Sequence, residues 1–327
     1  MARFLLHRLL QGLVVLALMS FVIYGLIGLM PGDPIDLMIS ANPKLTQADA
    51  ERLRQIHGLD RPIVERYLAW AGDALSGDLG YSRAYARPVT EVLGLRLANT
   101  AALMIGAFLL ALAVGLPAGI YAAARPGGIA DGVINLACFV AISLPTFWLA
   151  LMLILLFAVT LGWLPAGGVG TLGQNGFLDG VRHLILPVIT LAIVEAGAYA
   201  RYMRAAMREA LQQDWIRTAR AKGASELRAV VGHALRNAMI PVTTIMALGF
   251  GGLFSGALIT ETMFAYPGMG KLIYDSVMGN DFNLALVALL FATLLTLAGN
   301  LIADLGYAAL DPRISYAGSQ DGQVVSS

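Results

Sequence analysis

The sequence predicts an all-α integral membrane protein of six transmembrane helices, with a small external helical segment between spans 1 and 2. Three observations predict it. The 327 residues are 58% hydrophobic and only 13% charged, about half the charged fraction of roughly a quarter found in soluble domains. Six apolar stretches, at 9–30, 100–124, 133–161, 184–204, 239–260 and 284–308, reach the roughly 20 residues a helix needs to cross hydrocarbon. Positive charge is also local: residues 201–240 hold eight Arg/Lys against three acids, in a chain of net charge +1. A basic loop in an apolar protein marks the cytoplasmic side. Residues 205–238 are therefore expected there, and six spans then put both termini in the cytoplasm. A neutral whole with one basic loop gives no reason to expect a nucleic acid; the expected surroundings are membrane lipid.

Taken in order, Arg3, His7 and Arg8 precede the charge-free run 9–30. That run is too long for a signal-peptide core and lacks a small-x-small cleavage site, so residues 1–30 read as a cytoplasmic stub and an uncleaved first span. Residues 31–98 form the external segment. Its eight Arg/Lys and nine Asp/Glu are balanced, and long loops cross regardless of charge. Within it Ala50, Leu53 and Ile56, then Ile63, Tyr67 and Leu68, recur at helical spacing, with Pro62 placed to open the second helix. Asp33 and Asp78 stand beside Pro and Gly and read as turn residues. Residues 99–313 hold the other five spans. Pro117, Pro145 and Pro187 do not disqualify them, because neighbouring helices can satisfy freed backbone groups. Arg125, in the short loop after span 2, agrees with the orientation. The Gly-rich loop 162–183 is external, with Trp163 as an interfacial anchor. A second external segment follows at 261–281; whether it re-enters the membrane is open. The small, polar tail 314–327 reads as disordered.

The basic segment 215–241, WIRTARAKGASELRAVVGHALRNAMIP, has the grammar helix, break, helix. Helix formers run to Lys222, Gly223 can take the left-handed position that stops a helix, and Ser225 can cap a new one. Leu227, Val230, Val231 and Leu235 then recur at helical spacing. The pattern alone also fits an amphipathic helix lying on lipid.

The sequence argues against an enzyme. Cys138 sits alone in an apolar stretch, where a thiolate would be unsolvated. His7, His57, His183 and His233 are scattered, with no i, i+4 pair to bind a metal. Gly268 to Lys271 imitates a phosphate loop but lacks its first glycine and has Leu272 for Ser/Thr. Ser255-Gly256 in span 5 suggests an intramembrane serine protease, yet Leu253 breaks the G-x-S-G pattern and no span offers a histidine base. Polar groups inside spans are another matter, because they are costly there and face protein or a water path. Glu195 lies midway along span 4, Asn300 and Asp304 share a face of span 6 at i, i+4, and Ser143 and Thr146 flank Pro145 in span 3. They read either as a translocation path or as hydrogen bonds that hold the bundle together. A secondary transporter would need paired repeats with broken helices, and no repeat is visible.

At residues 217–225 (RTARAKGAS) and 233–241 (HALRNAMIP) the chain resembles the cytoplasmic coupling loop, the "EAA" loop, of ABC-importer permeases. It is most similar to the dipeptide/oligopeptide/nickel branch. Arg217 in place of the glutamate of other branches, and the late Pro241, resemble that branch too. PGDP at 31–34, GDLGYS at 77–82, RPV at 87–89 and RLANT at 96–100 extend the resemblance. So do ETMFAYPGMGKL at 261–272 and NLIADLGYAALDPRI at 300–314, and together they cover about residues 1–316. The last motif favours a bundle role for Asn300 and Asp304.

The resemblance implies a type I ABC importer permease in a bacterial inner membrane, moving peptides inward. Nickel chelates, glutathione, haem and opine-type compounds are its alternatives. It implies that Ala219, Lys222, Gly223, Ser225, Glu226, Arg228, His233 and Asn237 couple the chain to an ATPase. Implied partners are a second homologous permease, two ABC ATPase subunits and an extracytoplasmic substrate-binding protein. ATP and Mg would sit on the ATPases and no cofactor on this chain. The helix 223–236 would act as a lever between outward and inward openings.

Overall fold

The computed structural model describes residues 2–29, 52, 61–171, 173 and 176–310. The expectations for Asp33, for the helix around Ala50, Leu53 and Ile56, and for the tail 314–327 lie outside the described residues. Among those described, the chain is helical apart from one two-stranded hairpin and the connections.

Helix α1 (Ala2–Gly28) covers the first apolar stretch. Helix α2 (Ile63–Leu75) starts directly after Pro62, whose φ of −52° suits a helix entry. Strands β1 (Tyr81–Ser82) and β2 (Arg87–Pro88) pair antiparallel, Tyr81 opposite Pro88, and run into α3 (Val89–Ala124). Next come α4 (Ile129–Ser143), α5 (Thr146–Leu153) and a π-helical continuation, π1 (Ile154–Thr160). Helices α6 (Phe177–Leu211) and α7 (Asp214–Ala221) precede a second π-helical segment, π2 (Arg228–Ala234). The chain continues through α8 (Leu235–Met263), α9 (Met269–Met278) and α10 (Phe282–Leu310).

Helices α1, α3, α6 and α10 are each long and apolar enough to cross a membrane. The stretch 133–161 is interrupted at Pro145. Its two halves, α4 and α5–π1, bend by 103° at the break, so the pair is one broken span or a re-entrant loop. Pro145 is the cause. It has no N–H to donate, and its ring excludes the helical region for the residue before it. Leu144 accordingly stands at ψ 126°, and Pro145 becomes the entry to α5. The stretch 239–260 lies within α8, a helix of 29 residues.

Two compact units account for the chain, one of Met1–Leu9, Thr100–Tyr266 and Thr296–Ser327, the other of Leu10–Asn99 and Pro267–Leu295. The first is built around α6, and glycines let its neighbours come close. A Cβ on Gly115 would stand 2.7 Å from the Ala196 carbonyl oxygen, and one on Gly119 2.5 Å from that of Ala200. Gly197 faces Cys138 and Ala141 of α4 in the same way. Where lipid tails compete with apolar side chains on equal terms, such backbone approach is what holds helices together. Its buried core includes Leu103, Leu186, Leu253 and Phe264. Asp131, buried at 4% exposure, receives Arg204 in a two-pronged ion pair at 2.6 and 2.8 Å, which ties the start of α4 to α6. In the connection after α8, burial and then the Glu261 carboxylate push the Tyr266 hydroxyl up to about 12.

In the second unit, Ile23 and Ile27 of α1 pack on Ala285 and Leu286 of α10. The α2 residues Tyr67 and Trp70 stack edge-on or tilted against Phe21 and Tyr24, and the Ser20 and Tyr67 hydroxyls share a hydrogen bond of 2.7 Å. The helical spacing at 63–68 thus serves to cover α1.

Candidate functional site

The basic segment folds onto the end of α6. Helix α7 is amphipathic and buries one large residue, Ile216, which is fully covered. Burying such a side chain contributes about 2 kcal/mol. Ile216 joins Met203, Met207 and Ala210 of α6, Ala123 of α3, and Ala229, Val230 and Ala234 of π2 in one apolar seam. The face opposite that seam carries the charge.

Gly223 ends α7 as the sequence predicts. Its φ is +85°, its N–H bonds the Arg220 carbonyl at 2.9 Å, and the Ala224 N–H bonds the Ala219 carbonyl at 3.1 Å. These 5→2 and 6→1 bonds form a Schellman motif around a left-handed residue. Ser225 receives the Arg228 N–H on its hydroxyl at 3.4 Å, and its carbonyl receives the Ala229 N–H at 2.9 Å, so it opens the next helix. That helix is not the separate 223–236 lever expected. Helical backbone runs through π2 directly into α8, where Leu235 keeps φ −56° and ψ −43°.

Five of the eight expected coupling residues meet in one place. Ala219, Lys222, Gly223, Arg228 and His233 line a cleft of about 450 Å³ together with Trp215 and Thr218. Glu226 instead bridges back over the Gly223 turn to Arg220, at 2.6 and 3.2 Å. Both partners are exposed, so the pair orients the turn more than it stabilises it. Asn237 donates its side-chain amide to the His233 carbonyl at 3.2 Å. It lines a second cleft, of about 280 Å³, with Glu209, Gln213 and Trp215. Trp215, 39% exposed, lines both clefts and is the residue the sequence reading missed. Its signal was available: a large aromatic side chain on an otherwise polar helix face. Residues 214–236 carry five Arg/Lys and two acids. The larger cleft carries Lys222 and Arg228, the smaller carries Glu209 and, among the described residues, no Arg or Lys, and the indole joins the two. The recess suits a protein element with an apolar tip and an acidic flank on the larger side.

The candidate path residues fall in different places. Ser143 and Thr146 flank the bend between α4 and α5, Ser143 exposed and Thr146 half-buried. Glu195, half-buried on α6, lies with Tyr199 against Gly249 of α8. A Cβ on Gly249 would meet the Tyr199 hydroxyl oxygen and would lie 2.9 Å from the Glu195 carboxylate. The fully buried Tyr199 hydroxyl lies beside the Glu195 carboxylate. Asn300 is exposed on α10, and the side chain of Asp304 lies outside the described residues. For Glu195, Gln substitution is expected to leave complex assembly intact and to lower transport, whereas Leu lowers the yield of assembled complex if the carboxylate holds α6 to α8. Unchanged uptake and unchanged yield in both variants would remove Glu195 from either role.

Comparison with known proteins finds relatives along nearly the whole chain. Residues 115–316 match the family model "Binding-protein-dependent transport system inner membrane component", and residues 1–104 match that of the N-terminal part of such membrane components. The chain is 39% identical over 318 residues to the oligopeptide transport system permease protein AppB of Bacillus subtilis, covering 97% of this chain and all of the relative. It is 38% identical to the di/tripeptide transport system permease protein DppB of Pseudomonas aeruginosa, over 90% of this chain and 93% of that one. It is 37% identical to the glutathione transport system permease protein GsiC of Escherichia coli K12, over 97% and 100%. Among solved structures, the inward-facing MetNI methionine ABC transporter aligns with a TM-score of 0.55 at 18% identity, over 68% of this chain and 97% of that chain.

Proposed function

The chain belongs to the family of binding-protein-dependent transport system inner membrane components, and from that membership we propose that it imports peptides by docking an ATPase on the Trp215 clefts. It is a membrane permease subunit of an ABC importer, and the transport system supplies the ATPase and the substrate-binding protein. The names of its relatives, which transport oligopeptides, di- and tripeptides or glutathione, support a peptide substrate. Glutathione, itself a small peptide with a γ-linkage, is the second reading. The proposed assembly has a second permease beside this one, two ATPases below and a soluble binding protein above. ATP and Mg are held by the ATPases.

The observation that carries the docking proposal is the Gly223 turn, which sets π2 against α7 and so forms the cleft from residues on both. In the proposed cycle, nucleotide-driven closure of the ATPases pushes on that recess. Because π2 is continuous with α8, the push passes into a long apolar helix without a hinge between them. No proton or bond is handled by this chain; its part is to exchange two packings. The test is reconstitution with the ATPases and the binding protein. ATP turnover should rise when a peptide-loaded binding protein is added and should stay basal with unloaded protein. Labelled dipeptide competed against glutathione then separates the two substrates, and stimulation by neither would end the peptide reading.

The orientation is proposed with the clefts in the cytoplasm and residues 31–98 outside. In a Cys138→Ala background, Ala224→Cys should react with a membrane-impermeant maleimide only in inside-out vesicles. Ser76→Cys, exposed at the end of α2, should react only in whole spheroplasts. The reverse pattern would overturn both the orientation and the docking assignment.

A further inference from the structure

The hairpin at 81–88 is anchored on the entry to α10. Ser82 is its inward-facing residue; the others from Tyr81 to Pro88 are exposed. Its anchoring is unusually complete for so short an element. The Ser82 hydroxyl donates to the Asp281 carboxylate at 2.6 Å, and the Ala84 N–H donates to the same oxygen at 2.9 Å. The Arg83 guanidinium reaches the Gly279 carbonyl at 2.8 Å, and the Asn283 amide reaches the Tyr81 carbonyl at 3.2 Å. Asp281 is 1% exposed and also receives the Leu284 N–H at the start of α10, so the hairpin is tied to a helix entry. Gly80 at φ +81° admits the chain, and a side chain there would strike Asn283.

At the tip, Ala86 is held at φ +50°, a left-handed conformation that a non-glycine residue enters at a cost. Backbone strain of this kind persists only where the surroundings over-determine it, and it gathers at functional positions. Here it presents a fixed set of side chains. Arg96 steadies Tyr85, donating to its hydroxyl at 3.3 Å with the guanidinium 5.7 Å from the ring centre. Tyr81 and Tyr85 are 55% and 38% exposed. Arg83 and Arg87 flank Tyr85, and residues 79–90 contain no acid. Exposed tyrosines and arginines on a pre-ordered backbone are the composition of a protein-binding hot spot.

We propose that this Tyr/Arg knob is where the soluble binding protein grips the chain, seating it against an acidic rim. The inference rests on the importer reading and on the outward placement of residues 31–98. A partner with acidic groups follows from the unbalanced positive charge of the tip, and a soluble binding protein is the partner that the family description itself names.

The experiment uses the full transporter complex in nanodiscs with its cognate binding protein, and measures Kd together with the concentration of binding protein that half-saturates ATP turnover. Tyr85→Ala and Arg87→Glu are expected to raise both about tenfold or more. Arg87→Lys should remain near wild type, and the maximal turnover of all variants should be retained. A photoreactive residue at position 85 should cross-link to the binding protein in intact cells. Wild-type Kd in Tyr85→Ala and Arg87→Glu would overturn the assignment. So would an adduct to a permease chain or to lipid in place of the binding protein. If the wild-type complex itself shows no response to the binding protein, the importer reading falls and the assignment with it, so the two failures are distinguishable.

Discussion

Gly223→Val is expected to leave the protein inserted and assembled in the membrane while cutting ATP-coupled uptake by more than tenfold. The reason is conformational. Nothing lies within 4 Å of the position a Cβ would occupy, so there is no clash to disrupt folding. The φ of +85°, however, costs an ordinary residue about 1–2 kcal/mol and a β-branched one more. Relief requires Gly223 to leave the left-handed region, which breaks the two hydrogen bonds of the Schellman turn and swings π2 away from α7. Ala219 and Lys222 would then part from Arg228 and His233, and the cleft would open. Co-purification of the ATPase and binding-protein-stimulated ATP turnover are the measurements. Gly223→Asn, which tolerates the left-handed region, should keep most of both. If Gly223→Val shows wild-type coupling, or if Asn is as damaging as Val, the turn geometry does not set the docking surface.

The second large effect is expected at Gly119, and there the cause is steric. A methyl group would stand 2.5 Å from the Ala200 carbonyl oxygen, 2.8 Å from Met203 Cβ and 3.1 Å from the Arg204 nitrogen. Two of those three atoms are backbone and cannot rotate away, so α3 and α6 must separate. Overpacking of this kind costs about 1–3 kcal/mol even where a core can adjust. Separation here would also disturb Met203, at the base of the coupling seam. Gly119→Ala should lower the yield of intact complex severalfold, and Gly119→Val should nearly abolish it, as read by size-exclusion chromatography after detergent extraction. Normal yields of both variants would show that the α3–α6 approach tolerates relaxation. Gly132, with open space around its Cα, is the matched control: Gly132→Ala should be neutral.

Much of this was legible because it is written in local chemistry. Pro62 and Pro145 declare where helices start or break, and Gly223 followed by Ser225 spells a stop and a new start. The clustering of Ala219, Lys222, Arg228 and His233 follows from that turn, so short-range spacing was enough to find it. The 103° bend was harder. Pro145 predicts a break, but not how far the next helix turns, which depends on what α4 and α5 pack against. The Asp131–Arg204 pair was missed because its partners are 73 positions apart and each alone reads as a loop charge. The Gly115–Gly119 spacing at i, i+4 was present in the sequence as a helix-approach motif. Which helix it admits could be seen only once Ala196 and Ala200 were in place. The same holds for Ser82 and Asp281, which a long stretch of chain separates.

The π2 segment carries a consequence of its own. Val230, Ala234, Ala238 and Val242 are all buried in one seam, at intervals of four. Steps of four overshoot an α-turn of 3.6 residues, so in a plain α-helix this row would creep steadily around the axis. A turn closed by i→i+5 bonds holds more residues than an α-turn, so the same step undershoots it and the row creeps the other way. The one wide-wound step, Val230 to Ala234, therefore offsets part of the creep of the two ordinary steps above it, and all four residues stay in the buried seam. It follows that the compass bearing of the docking recess about the axis of α8 is fixed by arithmetic, the number of residues wound between Arg228 and Ala234. Losing one of them would rotate everything on the far side by roughly a quarter-turn, and a length change would be felt as an angle.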